Sequence, residues 1–319
     1  MGFAEMGPAK AGERLGHLDM LRGFALLGVL LSNIEYWFRA PKGHEWLSTT
    51  SFPGWGNELA AWLIRALVET KFIFLFSLLF GVGLMLQMKR VEQKGLSFGR
   101  FALRRLSFLL LFGILHVVLV WNGDILVPYA LIGMLMLFFV RVRARTLVLW
   151  LVLAWSILLL LMMAGPVKRL LGPAPQVPGA ELIRAWDAEE QEGIDKLAAG
   201  YGASGWGEVA RFRLQDYRRV LGMSAGGFLA IFLNMILGIL LWKRGILHQP
   251  AAHLHGIKRF CLWAFPLGFL LHGIYASRHM LLAWGWTVPW SLGRWVRPLT
   301  ELSMILGMLC RVTLGHTGR

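Results

Sequence analysis

Residues 106–140 read LSFLLLFGILHVVLVWNGDILVPYALIGMLMLFFV. This stretch holds two apolar runs, residues 106–121 and 125–140, which only the short polar turn Asn122-Gly123-Asp124 separates. Each run approaches the roughly 17–25 residues that a helix needs to cross a bilayer. The stretch therefore predicts two antiparallel helices joined by a tight turn at a membrane surface.

Further apolar segments of similar length predict an all-α fold, a polytopic transmembrane helical bundle of about eight spans in a single domain, 1–319. Residues 165–222 form a predicted extracytoplasmic loop with amphipathic helices at 181–199 and 208–220, and a helix at 57–71 is expected to lie on the membrane. The predicted spans are 20–38, 72–88, 106–121, 125–140, 147–164, 223–242, 260–275 and 299–312.

The composition of the 319 residues supports a membrane protein and excludes two other classes. Hydrophobic residues make up 56% and charged residues only 16% of the chain, whose mean hydropathy is +0.57. So apolar a chain does not remain disordered in water. The net charge of +15 would fit a nucleic-acid-binding protein, but the charges lie between long apolar runs, so no nucleic-acid partner is expected.

The basic residues indicate how the chain is oriented, because cytoplasmic loops of membrane proteins collect Lys and Arg. With a cytoplasmic N-terminus and eight crossings, the inner segments hold 18 of the 33 basic residues but four of the 18 acidic ones. The outer segments are then almost neutral. We therefore predict a multi-pass membrane protein with both termini in the cytoplasm.

Polar side chains inside predicted spans are candidate functional residues, because burying them in lipid is costly. Asp19 and Arg22 lie three residues apart at the start of the first span. Either they form an interfacial ion pair, or Arg22 binds an anionic group at the cytoplasmic face. Asn33 lies on the same helical face as Arg22 and either bonds a neighbouring helix or lines a polar cavity.

His116 and Asp124 are the most informative pair in the chain. His116 lies about 16 Å along the third span from Arg105, and its imidazole is either a buried neutral group or a general base. Asp124 either caps the fourth helix or orients His116. A straight helix would separate the two by about 12 Å, so contact requires the chain to fold back.

No metal centre or nucleotide-binding loop is predicted. His248, His253 and His255 are spaced as metal ligands are, but no Cys or carboxylate lies near them, and a solvated loop is favoured. The chain contains no phosphate-binding Gly-Lys-Ser/Thr loop, no Gly-x-Ser-x-Gly and no His-Glu-x-x-His motif.

Several strings together resemble the YeiB family of bacterial membrane proteins, which carry domain of unknown function 418. They are LDMLRGFALLG at 18–28, FSLLFGVG at 76–83, RRL at 104–106 leading to His116, WNGDIL at 121–126 and YALIG at 129–133. The resemblance extends to about residue 245. Family members usually continue into a late Gly-Arg-x-x-Leu-Thr-Asn-Tyr stretch, so the resemblance implies a C-terminally shortened member.

The first span is also similar to that of heparan-α-glucosaminide N-acetyltransferases, through Asp19, Arg22, Gly23 and Asn33. Those enzymes move acetyl groups from cytoplasmic acetyl-CoA to a sugar and use an outer-loop His, where His44 stands here. The spacing from Arg105 to His116 is similar to that of an Arg-x₁₀-His motif in acyltransferase-3 enzymes.

These resemblances imply a membrane acyltransferase. Acyl-CoA would dock on basic residues such as Arg22, Arg104 and Arg105, with Asp19 beside them. His116 or His44 would be the base for a glycan or other small acceptor, and Asn33 and Asp124 would position the reactants. Two alternatives stay open, a transporter or exporter of a small solute and a non-catalytic membrane partner.

Overall fold

The computed structural model describes residues 16–38, 54–68, 71–171, 192–193, 195–196, 198–202, 205–223 and 225–277. This part of the chain is helical and contains no strand, which confirms the all-α fold. The main helices are α1 Gly16–Phe38, α2 Trp55–Leu67, α3 Lys71–Gln93, α4 Phe98–Leu119, α5 Leu126–Phe139, α6 Ala144–Leu171, α7 Trp206–Met223, α8 Ala225–Lys243 and α9 Leu254–Ala276, with a 3₁₀ turn Pro250–His253 before α9.

Four of the first seven apolar segments predicted from the sequence lie within a helix, and three (106–121, 125–140 and 223–242) extend one or two residues past a helix end. The eighth, 299–312, lies outside the described residues. Some helices extend beyond the apolar runs. α4 begins at Phe98 rather than at residue 106, because its first turns carry polar residues that the hydropathy pattern leaves out. α6 continues to Leu171, just before Gly172 and Pro173, beyond the expected end at residue 164.

By length and composition, α3 and α4 are able to cross a bilayer. Three further apolar helical stretches are shorter: Leu126–Phe139, Ala144–Ile157 and Gly227–Lys243. The two amphipathic helices expected at 57–71 and 208–220 are present as α2 and α7, and the one expected at 181–199 lies largely outside the described residues. The described helices are thus consistent with association with a membrane.

α3 is the central helix of the bundle, with α8 packed on one side and α1 on another. A Cβ atom added to Gly81 would lie 2.2 Å from the backbone oxygen of Met235, and one added to Gly238 would lie 2.1 Å from that of Leu78. Glycine at both positions therefore permits α3 and α8 to approach backbone to backbone, as small residues do in membrane bundles.

The bundle has a basic end and a turn end. At the basic end, Arg141 pairs with Glu92 at 2.7 Å, and Nζ of Lys243 donates to the carbonyl of Val142 at 2.7 Å. At the turn end, the segment 120–125 joins α4 to α5 and lies under α7. These contacts bring three predicted cytoplasmic loops to one end and the predicted extracytoplasmic helix α7 to the other.

Candidate functional site

A cavity of about 520 Å³ lies at the turn end and is called the histidine cavity below. α1 forms one wall, and the end of α4 with the following turn forms the other. The three residues predicted to be catalytic, Asn33, His116 and Asp124, all line it. The remaining lining is largely apolar: Leu30, Ile34, Val120, Trp121, Gly123, Ile125 and Leu126.

His116 and Asp124 face each other across the turn. Nδ1 of His116 lies 3.1 Å from Oδ1 of Asp124, although the ring is not aligned for a well-formed hydrogen bond. The chain folds back because α4 ends here: the carbonyl of His116 accepts hydrogen bonds from the amides of Val120 and Trp121, both at 2.9 Å. His116 and Asp124 are therefore much closer than the roughly 12 Å that a continuous helix would place between them.

Asp124 is placed for both of the roles that the sequence left open. Its Oδ2 accepts the backbone N–H of Val127 at 2.7 Å, which caps the first turn of α5, while Oδ1 faces His116. The carboxyl group is wholly buried, whereas the His116 side chain keeps 34% of its surface exposed. The arrangement therefore leaves the other imidazole nitrogen, Nε2, for the cavity.

Helix α7 covers the turn and supplies residues that the sequence did not single out. Nδ2 of Asn122 donates to Oδ2 of the buried Asp216, and Nη1 of Arg213 donates to the carbonyl of Val118 at 3.1 Å. The amphipathic pattern of 208–220 predicted a helix, but it gave no sign of which element that helix would contact. Only the fold brings Asp216 to Asn122.

A second cavity of about 860 Å³ lies at the basic end and is called the arginine cavity below. α1 and α4 form its sides and α3 forms its floor. Asp19, Arg22 and Arg105, three of the four predicted cofactor-binding residues, line it together with Arg90 and Gln87. Cations from three helices thus share one concave surface.

Arg22 lies within the arginine cavity beside two neighbours. Its Nη1 bonds Oδ1 of Asp19 at 2.8 Å, so the predicted ion pair is present. Its Nη2 lies 3.4 Å from where a Cβ on Gly83 would stand, so the guanidinium extends over the floor of the cavity. The ion pair and a role in holding an anion are therefore compatible.

The fourth predicted cofactor residue, Arg104, does not line the arginine cavity. Its guanidinium carbon lies 6.0 Å from the ring centre of Phe108, which does line the cavity. His44 lies outside the described residues. Among the described residues, no group of three or more His, Cys, Asp or Glu side chains is placed to hold a metal ion.

The two cavities follow each other along the same pair of helices. On α4, the arginine cavity reaches Phe112 and the histidine cavity begins at His116, one helical turn later. On α1, Arg22 lines the first cavity and Leu30 the second, about 12 Å further along the helix. Two cavities with polar residues, one nearer each end of the same pair of helices, are the arrangement that a function has to explain.

Comparison with known proteins identifies relatives in bacteria. The chain is 31% identical over 290 residues to the uncharacterized protein YxaH of Bacillus subtilis (strain 168), a match that covers 86% of this chain and 69% of YxaH. It is 37% identical over 129 residues to YeiB of Escherichia coli (strain K12), covering 39% of this chain and 30% of YeiB.

A third relative is an uncharacterized 39.9 kDa protein from the amylase 3′ region of Bacillus acidopullulyticus, 37% identical over 140 residues, or 43% of this chain and 37% of the relative. No family model and no solved structure matches the chain. The names of these three relatives state no activity. The long match to YxaH and the local match to YeiB agree with the motifs quoted above, and the chain belongs to the YeiB-type family.

Proposed function

We propose that this chain is a multi-pass protein of the bacterial inner membrane, with about eight spans and both termini in the cytoplasm. The excess of basic residues in alternate loops supports this orientation. The Arg141–Glu92 and Lys243–Val142 contacts support it as well, because they join loops that the scheme assigns to the same side.

Thiol labelling in spheroplasts tests the orientation. With Cys261 and Cys310 replaced by Ser, we expect a cysteine at the exposed position of Gly207 to react with an impermeant maleimide. A cysteine at the exposed position of Ser97 should react only after permeabilisation. The reverse pattern would invert the topology, and reaction of both in intact spheroplasts would exclude it.

The proposed activity is transfer of an acyl group from cytoplasmic acyl-CoA to a glycan or other small acceptor on the outer side. The observation that carries it is the meeting of His116, Asp124 and Asn33 in one cavity, in line with a second cavity that holds Arg22 and Arg105. Arg side chains bind phosphate groups through charge-assisted hydrogen bonds, and the CoA moiety is rich in phosphate.

The chemistry at the histidine cavity follows from the pairing of His116 with Asp124. A carboxylate beside Nδ1 favours the tautomer with its proton there and leaves Nε2 free to accept a proton. Nε2 would take the proton of the acceptor hydroxyl or amine as that atom attacks the thioester carbonyl. The C–S bond then breaks, and the CoA thiolate takes the proton from Nε2, which restores the neutral imidazole. The side-chain amide of Asn33 would orient the acceptor.

Turnover of acetyl-CoA by the purified protein in detergent or in proteoliposomes tests this proposal. We expect release of CoA that requires an acceptor and is lost in His116→Ala. His255→Ala is the matched control, because His255 is exposed at the basic end and lines neither cavity. Full turnover in His116→Ala would reject the assigned base.

The same line of cavities would also suit a pathway for a small solute, and this observation keeps transport as the second candidate. Ion-gradient-dependent flux in proteoliposomes, without turnover of acetyl-CoA, would favour it. The absence of both flux and turnover, with no thermal stabilisation at millimolar acetyl-CoA, would favour a non-catalytic membrane partner.

A further inference from the structure

The hydroxyl group of Tyr217 is a buried polar group that the proposed reaction does not use. Tyr217 lies on α7 with 6% of its surface exposed, and its oxygen has no hydrogen-bond partner within the described part of the chain. Its ring packs with Val117 and Val127. Val117 follows His116 in the chain, and the amide of Val127 is the group that Asp124 caps. Tyr217 therefore packs against the two segments that hold the pair.

Helix α7 is fastened to the α4–α5 segment by two residues that precede Tyr217. The preceding residue, Asp216, accepts a hydrogen bond from Asn122, and Arg213, one helical turn earlier, donates to the carbonyl of Val118. Two polar bonds between α7 and the α4–α5 segment thus fix the turn of helix that carries the phenol. The position of the hydroxyl is set by these bonds rather than by apolar packing alone.

Asp124 offers the acceptor that the phenol lacks. Its Oδ1 is buried and has no well-aligned hydrogen bond, although it lies 3.1 Å from Nδ1 of His116. Buried polar atoms are nearly always hydrogen-bonded, and here an unmatched donor packs against Val127, whose amide is held by the residue that carries the unmatched acceptor. Burial and the negative charge of Asp124 both raise the pKa of Tyr217, so the phenol keeps its proton at neutral pH.

We propose that Tyr217 is a positioning residue of the histidine cavity, whose hydroxyl donates to Oδ1 of Asp124 and holds that carboxylate against Nδ1 of His116. It acts through Asp124 and touches no reacting atom. The catalytic meaning of this role rests on the proposed function, whereas the linkage of Tyr217 to His116 does not.

The groups that titrate around this carboxylate come from two sides of the turn. α4 contributes His116, and α7 contributes Arg213, Asp216 and Tyr217 itself. The residue that α1 places in the cavity, Asn33, does not titrate. If a change at Tyr217 alters the protonation of His116, the effect therefore passes directly through Asp124.

The test measures the rate at which diethyl pyrocarbonate modifies His116 at different pH values, by peptide mass spectrometry of the purified protein. The reagent attacks neutral imidazole, so the profile reports protonation. Without the phenol, the carboxylate of Asp124 is no longer held against Nδ1 and stabilises the imidazolium less. We expect Tyr217→Phe to lower the pH of half-maximal modification by about half a unit or more. Tyr129→Phe, which removes another buried hydroxyl that contacts Ser77 and does not line the histidine cavity, is the matched control.

A double-variant comparison separates this role from simple packing. In the Asp124→Asn background, Tyr217→Phe should no longer move the profile, because its route to His116 is gone. No shift in the single variant, or the same shift in both backgrounds, would overturn the proposal. Acetyl-CoA turnover is measured on the same samples. If the single variant shifts the profile through Asp124 but the protein does not turn over acetyl-CoA, acyl transfer is rejected and the role of Tyr217 stands. If the protein turns over acetyl-CoA but the variant causes no such shift, acyl transfer stands and the role of Tyr217 is rejected.

Discussion

The two cavities of this protein hold their polar groups in opposite ways. In the histidine cavity, the carboxyl group of Asp124 is wholly buried and bridges a backbone amide and an imidazole from another helix. In the arginine cavity, Asp19 and Arg22 pair within one helix and keep 49% and 33% of their side-chain surface exposed. The first arrangement is fixed by tertiary structure and suits chemistry. The second is adaptable and suits the binding of a charged ligand.

The largest effect is expected from Asp124→Ala, which breaks the fixed arrangement. Loss of the cap on α5 should cost about 1 kcal/mol of unfolding free energy. Loss of the partner of His116 should lower turnover by roughly 10²–10⁴-fold, the range of general-base catalysis. Thermal unfolding in detergent and acetyl-CoA turnover measure the two effects.

Asp124→Asn separates the two roles of this residue. Asn is as good a cap as Asp, so stability should remain near that of the wild type. The negative charge beside Nδ1 is lost, so turnover should still fall steeply. Turnover equal to the wild type in Asp124→Asn would show that Asp124 serves the helix and not the imidazole.

The sequence predicted the helices of this site and its individual residues, but not their contacts. Apolar runs set the positions of α1, α4 and α5, and the misplaced polar groups marked Arg22, His116 and Asp124. The 3.1 Å approach of His116 to Asp124 depends on how the chain turns after Trp121, which hydropathy does not encode. The distance was therefore found only in the structure.

Two details of the site depend on which way a helix faces, which the sequence pattern does not encode. Arg104 and Arg105 are adjacent in the chain and equally basic, yet only Arg105 lines the cavity, because neighbours on a helix point about 100° apart. Asp216 and Tyr217 escaped notice because an amphipathic helix has many polar residues. Its periodicity does not say which face meets the bundle.

The second prediction concerns α3, which forms the floor of the arginine cavity. One face of α3 packs closely on α8, and another face lines the cavity. Gly81→Ala would force a Cβ to 2.2 Å from the backbone oxygen of Met235, so the helices must separate. We expect a loss of roughly 1–3 kcal/mol of unfolding free energy. Helix propensity, about 1 kcal/mol in favour of Ala, does not compensate.

Gly83→Ala is the matched variant two residues away. Its Cβ would meet only the flexible end of Arg22, at 3.4 Å. Stability should therefore be unchanged or rise by up to about 1 kcal/mol, the gain in helix propensity. Equal melting temperatures for the two variants would contradict the close packing of α3 on α8.

The third prediction tests whether the arginine cavity binds an anion. Arg22→Ala should weaken the binding of acetyl-CoA by about tenfold or more, since a hydrogen bond to a charged group contributes about 1.5–3 kcal/mol. Isothermal titration calorimetry measures the affinity, which should also fall with added salt. Arg141→Ala is the control, because Arg141 lies at the same end but pairs with Glu92. Equal losses in both variants would indicate only a general effect of charge.

The smallest effect is expected from Asp19→Asn, which decides between the two interpretations of Arg22. The exposed pair within α1 should contribute less than about 1 kcal/mol to stability, so the melting temperature should hardly change. If Arg22 holds an anion, Asp19 competes for the same guanidinium. An ion pair of this kind contributes about 0.2–0.5 kcal/mol, so removing the Asp19 charge should then tighten acetyl-CoA binding by up to about twofold. If Arg22 serves only the ion pair, the affinity will not move, whereas a clear weakening would show that Asp19 itself contributes to the binding of the ligand.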